Sequence, residues 1–521
     1  MGILSCDAFR EEYATIKKKT LKTSCSIVAF VLVANVDALC AAKIITDFLG
    51  SEALRYKTVP IACYEDISRF NDELICGEIH ITTFFFVGCC GSIALGDLLA
   101  LTHEEAAYIV DDYTGDSVAN IFDTGNIHVL DDGQVEANYE ELRKVSEDLG
   151  RSGDAAEYGY SFAKTSLAKT AFMFVESIKR QETESLWLLA VATNGLYLEE
   201  RISQSEYKRE ARFIAEQLSI AQSKTEIVAE ETMDLFLHTH WNLLDALHYS
   251  SYTASAFCSW KEHGCRKIAV LLAKFGIPLM AAKENYLLID TQNKTDLSRK
   301  LKTGEYKAEM KDLFYTTFMR KYSHTLRISS ADMFHILRSL LFSPYSETVP
   351  CGETQKKNFQ TGFEFLSKHL EVKNIHTETE MAISMQKIRF GILRNVFRKK
   401  LIRMTSQFRY TVLPDDPETN TYTEQFQFLV SLAEFLYQGI RKTRKKLLPL
   451  VVFAPVPDGG YIGTIACLGA RSHTALCLIF SALAERLEGS TRFVAVDAPV
   501  VFIPKNTLRV FIRELQKTLS Q

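Results

Sequence analysis

No field of one sign surrounds this 521-residue chain: 60 basic against 64 acidic residues leave −4, so nucleic-acid or anionic-membrane contact must come from local patches. Nor is there an apolar run of the roughly 20 residues that span a bilayer. Ser26–Ala34 is too short, and Thr83–Ala100 is interrupted by glycines and Asp97. The start, MGILSCDAFREE, becomes charged too early for a secretory signal, and Cys6 stands where a myristoylation pattern wants Ser or Thr. None of the twelve cysteines forms a CxxC, and the adjacent Cys89-Cys90 suits neither a disulfide framework nor a zinc site, so a reducing compartment is expected. The absence of GxxxxGK[ST] removes a P-loop ATPase. HEEAA at 103–107 has alanine where a metalloprotease carries its second histidine, so a turn is expected there. Gly459-Gly460-Tyr461-Ile462-Gly463 precedes a strand instead of a helix and reads as a hairpin. His238 and His240 point to different helix faces and read as core or surface groups, not a ligand pair. No fixed repeat period supports a solenoid.

What is present fits an ordinary globular protein. Hydrophobic residues are 47 % and charged residues 24 %, and the length allows about three or four folding units. Ser26–Ala34, Thr82–Val87, Ala107–Val110 and Ile127–Leu130 read as buried strands, with a helix over Leu39–Phe48. This alternation predicts a mostly parallel sheet covered by helices, whose ligands gather at carboxyl strand ends. Those ends are NVDA at 35–38, GCCG at 88–91 and DDYT at 111–114. An acidic, glycine-bearing connection follows at 131–158. From Ser161 the pattern is helical for some two hundred residues, with Ser329-Ser330-Ala331-Asp332 in capping-box form before a helix to Leu341. A long amphipathic basic helix is expected over Thr379–Met404. The tail returns to strands at Leu447–Ala454, Tyr461–Cys467 and Thr491–Val496, bracketing a helix at Ala475–Leu487.

The first strand end is the instructive one. An apolar strand followed by D-x-D and a helix of small residues is how the DHH phosphoesterases, RecJ-like nucleases among them, present their first metal-binding carboxylates; here the tip reads Asn35-Val36-Asp37-Ala38. ANVDALCAAKI at 34–44, Tyr56-x-x-Val59-Pro60, HWNLLDALHYSSYTASAFCSWKEHG at 240–264, FGIPL at 275–279 and KLLPLV at 446–451 together resemble the cell division control protein 45 family. Block 240–279 is the most specific, and 131–158 and 345–440 match least. That family supplies the accessory subunit that joins the Mcm motor ring and the GINS complex into the eukaryotic replicative helicase.

The resemblance implies an α/β, RecJ-like fold. A DHH-like α/β domain is expected at 1–215, an inserted all-helical domain with connecting helices at 216–380, and a long basic helix with a DHHA1-like α/β domain at 381–521. It also places the metal motifs. The first pair of aspartates falls on Asn35 and Asp37, the second motif's aspartate near Cys89, the D-H-H triplet on Asp112-Tyr113-Thr114, and a later aspartate near Asn194. Only Asp37 and Asp112 keep a carboxylate. Two divalent ions clamping a phosphoryl displacement need several carboxylates and an imidazole. No catalytic residue, metal site or cofactor is therefore expected, and Asp37 and Asp112 are expected to cap helices for about 1 kcal/mol each. The alternatives are an active manganese- or magnesium-dependent DHH single-strand exonuclease or phosphoesterase, and a single-strand binding protein outside a helicase.

With that chemistry set aside, surfaces carry the function. Trp241, Tyr249, Tyr252, Phe257 and Trp260 are of interface type, but the spacing of Trp241, Leu244, Leu247 and His248 suits a core. The family's insertion helps to dock the motor ring, which makes Lys261, Glu262 and His263 the expected partner contacts. Single-stranded DNA contact is expected from Arg389, Arg394, Arg398, Lys399, Lys400 and Arg403, and from Arg441, Arg444 and Lys445 in the RKTRKK run. The same runs suit nuclear import, so the nucleus is the expected location.

Overall fold

The computed structural model describes residues 2–23, 26–33, 35–76, 81–91, 94–99, 101–111, 118–121, 125–131, 166–178, 183–221, 226–303, 310, 313–323, 326–344, 351–367, 372–443, 446–456, 459–467, 470–487, 489–492 and 499–519. The first sheet is built from β1 (Ile3–Leu4), β2 (Ser26–Leu32), β3 (Tyr56–Ile61), β4 (Ile81–Val87), β5 (Ala106–Val110) and β6 (Ile127–Leu130). Its order is β1-β6-β5-β4-β2-β3 and every pair is parallel, as the alternating pattern predicts. Every position of β4 and β5 is buried, because helices cover both faces; this explains why these strands read as unbroken apolar runs. β3 was missing from the sequence reading. It carries Pro60, which cannot donate to a ladder, and it lies at the sheet edge, where that loss is tolerated.

The helix Leu167–Ile178 packs against the helix Val36–Ser51. Phe174 is their shared hub, with its ring edge-on to Phe9 at 5.5 Å, Phe85 at 6.1 Å and Phe48 at 6.4 Å. Thr183–Leu198 is buried on all sides from Ser185 to Leu196, so it shows no amphipathic stripe. It lies between Val36–Ser51 and the helix Ser330–Leu341.

The all-helical reading of the middle is corrected. Residues 227–329 contain a three-stranded antiparallel sheet of β7 (Ile227–Met233), β8 (Phe314–Lys321) and β9 (Arg327–Ser329). β7 buries only its terminal Ile227 and Met233, with the polar Glu230 and Glu231 between them, so no alternation was visible. Its partner β8 is distant in sequence. Around this sheet the helices Leu243–Tyr249, Ser251–Phe257, Glu262–Lys274 and Thr291–Thr303 enclose a core of their own, with Leu243, Leu247, Ile268, Leu271, Leu297 and Leu301 inside.

A helix of 27 residues, Val372–Arg398, leads to the second sheet. It stops short of the expected Met404. Lys400 takes the left-handed conformation (φ 54°), Leu401 N–H bonds Val396 C=O at 3.1 Å and Lys400 N–H bonds Phe397 C=O at 3.3 Å, which forms a Schellman stop. Arg403 therefore lies on β10 (Arg403–Met404), not on the helix. β11 (Arg409–Val412), β12 (Leu450–Pro455), β13 (Gly460–Ala466), β14 (Ser490–Arg492) and β15 (Val500–Pro504) complete a sheet of order β10-β11-β12-β13-β15-β14, parallel only between β11 and β12. Alternation divides β12: Leu450, Val452 and Ala454 join the main core with the helix Phe426–Thr443, while Val451 and Phe453 join Phe480 and Phe511 on the other face. The glycines at 459–460 do make a hairpin, with Gly459 at φ 79°. Among the described residues no helix is long and apolar enough to cross a membrane.

Candidate functional site

The tips of β2 and β4, neighbouring strands of the first sheet, carry the positions on which the resemblance places the first two metal motifs. Asn35 is the N-cap of Val36–Ser51, its side-chain oxygen accepting Asp37 N–H at 2.9 Å. An amide does this as well as a carboxylate, so its replacement of aspartate leaves the helix start intact.

Asp37 is 4 % exposed and caps a different helix from the one it sits on. Its carboxylate accepts Ser166 Oγ–H at 2.8 Å, Leu167 N–H at 2.9 Å and Ala168 N–H at 2.9 Å, all at the start of Leu167–Ile178. The expected cap is thus present, but it ties together segments 129–131 residues apart. The N-terminal dipole of that helix and two of its orphan N–H groups balance the charge that a nuclease would offer to metal. Crowding at the tip enforces this. A Cβ on Gly88, whose φ is 70°, would stand 3.0 Å from Ala38 Cβ and 3.3 Å from Leu167 Cδ1.

Cys89 is fully buried beyond β4, and burial, then Cys90 and Asp111, push its thiol well above the ordinary range. A thiolate ligand is not available there. Burial, then Asp37, raises the Cys40 thiol in the same way. Asp111, at the end of β5, was not singled out from the sequence beyond its place in DDYT. Its Oδ2 accepts Gly91 N–H at 2.6 Å, and a Cβ on Gly91 would fall 2.4 Å from that oxygen. Asn120 pins the same loop, donating to Cys90 C=O at 2.8 Å and accepting Leu95 N–H at 2.9 Å.

Asn194 is not brought to these strand tips by its bonds. Fully buried, it donates to Ser330 Oγ at 2.6 Å, and Ser330 in turn contacts Thr317 Oγ1 at 3.0 Å, linking Thr183–Leu198 to β8. Asp112, Tyr113 and Thr114 lie outside the described residues, as do Arg444 and Lys445. Among the described residues no three His, Cys, Asp or Glu side chains gather as a metal site. The described residues at the tips do not fit a pair of divalent ions.

His238 is core: its Nδ1 lies 3.2 Å from Leu235 C=O and its ring meets Tyr286 edge-on. His103 lies on a turn. Ser329 caps Ser330–Leu341 by accepting Asp332 N–H at 2.9 Å, while the Asp332 carboxylate accepts Thr239 Oγ1–H at 3.0 Å.

Among the surface candidates, Lys261, Glu262 and His263 are exposed at the N-terminus of Glu262–Lys274. Trp241 and Trp260 are buried, Trp260 stacked on Phe397 at 4.5 Å, as the core reading predicts. Segment 279–288 was overlooked: Met280 and Leu288 are each 74 % exposed, with Leu279 and Leu287 also open. Of the basic candidates, Arg394, Arg398, Lys399, Lys400 and Arg403 are exposed. Arg389 is not, which corrects its place among the expected DNA contacts; it donates to Ser251 Oγ at 3.4 Å and packs over the Phe435 ring at 5.3 Å. Helical spacing turns position 389 inward beside Met385 and Ile392, and its charge alone had suggested the surface. Arg441 is half-exposed and pairs with Glu200 at 3.3 Å.

The parallel sheet with Asp37 at its tip, a middle region of helices around a small antiparallel sheet, and a second mixed sheet define an α/β protein. The family model described as CDC45 matches residues 28–159 and 154–518. The chain belongs to that family, which carries a role in DNA replication. It is 20 % identical to the cell division control protein 45 homolog of Schizosaccharomyces pombe over 98 % of this chain and 99 % of that one. To the Homo sapiens homolog it is 21 % identical, covering 84 % of this chain and 86 % of that one. A crystal structure of CDC45 from Entamoeba histolytica shares the fold at TM-score 0.80 and 21 % identity, covering 100 % of both chains.

Proposed function

We propose that this chain is a catalytically silent subunit of the eukaryotic replicative DNA helicase, bridging the Mcm motor ring and GINS in the nucleus during initiation and elongation. The observation that carries the silent reading is the Asp37 carboxylate, bonded by Ser166, Leu167 and Ala168 in place of metal. The apolar side chains of 279–288, next in sequence to the exposed Lys261–His263 helix, support docking by the insertion, since large exposed apolar groups mark interaction sites. The purified chain is expected to show no manganese-dependent cleavage of single-stranded DNA and to co-purify with the Mcm ring and GINS. Cleavage abolished by Asp37→Asn would establish the exonuclease instead. Failure to assemble with either active partner would remove the helicase assignment.

Single-stranded DNA contact is the finer part of the proposal. Lys400 and Lys261 line a groove of about 720 Å³ together with Trp260 and Phe397, and Arg398, Lys399 and Arg403 are exposed beside Lys400 in the sequence. A basic rim over aromatic faces suits a phosphate backbone with unstacked bases. Converting Arg394, Arg398 and Lys399 to glutamine is expected to flatten the slope of log affinity against log salt by about 2, at roughly 0.7 per lost phosphate contact. A fluorescence-anisotropy titration across salt concentrations measures this, and an unchanged slope removes the patch.

A further inference from the structure

A cavity of about 420 Å³ lies among the helices Thr183–Leu198, Ser251–Phe257, Ser330–Leu341, Val372–Arg398 and Phe426–Thr443, away from the strand tips and from the basic groove. Three guanidiniums line it, of which Arg441 is paired with Glu200 at 3.3 Å. Arg338 stands over the rings of Phe334 and Phe342, at 5.8 and 5.7 Å from their centroids. Among the described residues its side chain makes no hydrogen bond, and its ion pair with Glu199 is long, at 4.0 Å. Glu199 is already engaged by Arg201 at 3.1 Å. Arg389 donates through Nη2 to Gln386 and, at 3.4 Å, to Ser251 Oγ, while its Nε is buried without a partner. No carboxylate among the described residues lies within ion-pair distance of it.

Burial, then the charge of Arg338, pulls the Arg389 guanidinium well below its usual range. Two like charges held close in a low-dielectric wall are costly unless an anion joins them. The cavity's own carboxylates offset them only in part. Glu434, on the same wall, opposes the shift of both guanidiniums, Glu200 is tied to Arg441 at the rim, and burial, then Glu200, pushes the Asp234 carboxyl up to about 7. Guanidinium forks match phosphate oxygens, and the rings of Tyr197, Tyr252 and Phe435 line the rest of the space.

We propose that this cavity binds a small organic phosphate, its phosphate group between Arg338 and Arg389 and its body against the aromatic wall. The site is independent of the helicase reading, since neither the strand tips nor Lys261–His263 contribute to it, and Arg441, a DNA-contact candidate on its wall, is paired with Glu200.

The test uses the full chain with two probes, inorganic phosphate and adenosine 5′-monophosphate, by isothermal titration and by hydrogen exchange read with mass spectrometry. One saturable site per chain is expected, with the nucleotide bound at least as tightly as phosphate. Amide protection should appear in 330–341, 386–392 and 426–441. Arg389→Met should weaken binding by about tenfold or more, the loss typical of a charge-assisted hydrogen bond. If that variant does not fold, the protection pattern of the unmodified chain decides. Protection confined to 394–404 would place the anion on the basic strip and overturn the assignment. So would an absence of saturable binding at millimolar probe, unchanged affinity in folded Arg389→Met, or phosphate binding with the nucleotide excluded.

Discussion

Replacing Asp37 with alanine is expected to lower the stability of this protein by about 2–4 kcal/mol, measured as a shift of the urea midpoint followed by circular dichroism. The variant removes the acceptor of three bonds from Ser166, Leu167 and Ala168 and leaves two helix N–H groups buried without a partner. A buried donor that loses its acceptor costs more than the bond contributed, so the effect exceeds that of an exposed cap. Ser166→Ala removes only one donor and should cost about 1 kcal/mol. Because both act on the same contact, the double variant should lose less than the two single losses combined. A metal ligand behaves in the opposite way. Removing a carboxylate from an ion site relieves repulsion and leaves stability unchanged or raised, so an undisturbed midpoint for Asp37→Ala would disprove the capping role.

Phe174→Ala should be the more damaging core substitution, at about 3–5 kcal/mol. The ring is 1 % exposed and touches Phe9, Phe48 and Phe85 edge-on, so it joins two helices to the central strand β4. Truncation opens a cavity in the one place where these three elements meet, and rigid neighbours on every side keep it from collapsing. Phe174→Leu should restore most of the loss by refilling volume, leaving the edge-to-face term of about 0.5–1.5 kcal/mol as the remaining deficit. Thermal denaturation of the two variants side by side measures both. A cost below about 1 kcal/mol for the alanine variant would mean that the hub repacks.

The first sheet was legible because its central strands are buried on both faces and therefore continuously apolar. TTFFFV and AAYIV admit few other readings. Elsewhere sequence pattern failed for identifiable reasons. β7 carries Glu230 and Glu231 on a half-open ribbon, and its partner β8 is remote, so pairing and not periodicity makes it a strand. Arg389 has the residue type of a DNA contact, but its helix phase turns it inward. The helix stop at Lys400 uses no glycine and was placed too late for that reason. The exposed Met280, Leu287 and Leu288 lie beyond the 240–279 block and follow no periodic pattern that would have marked them.

Residue types alone show what the strand tips do not offer: an amide at Asn35 and a thiol at Cys89 do not neutralise a pair of divalent ions. Residue identity is enough for that conclusion, because charge and ligand softness belong to the side chain wherever it sits. What Asp37 does with its remaining charge was decided only by tertiary structure. Its partners lie 129–131 residues away, on a helix whose start could reach it only once the helix Leu167–Ile178 had packed across Val36–Ser51. Long-range contacts of this kind depend on how elements stack, and that information is distributed over the whole core.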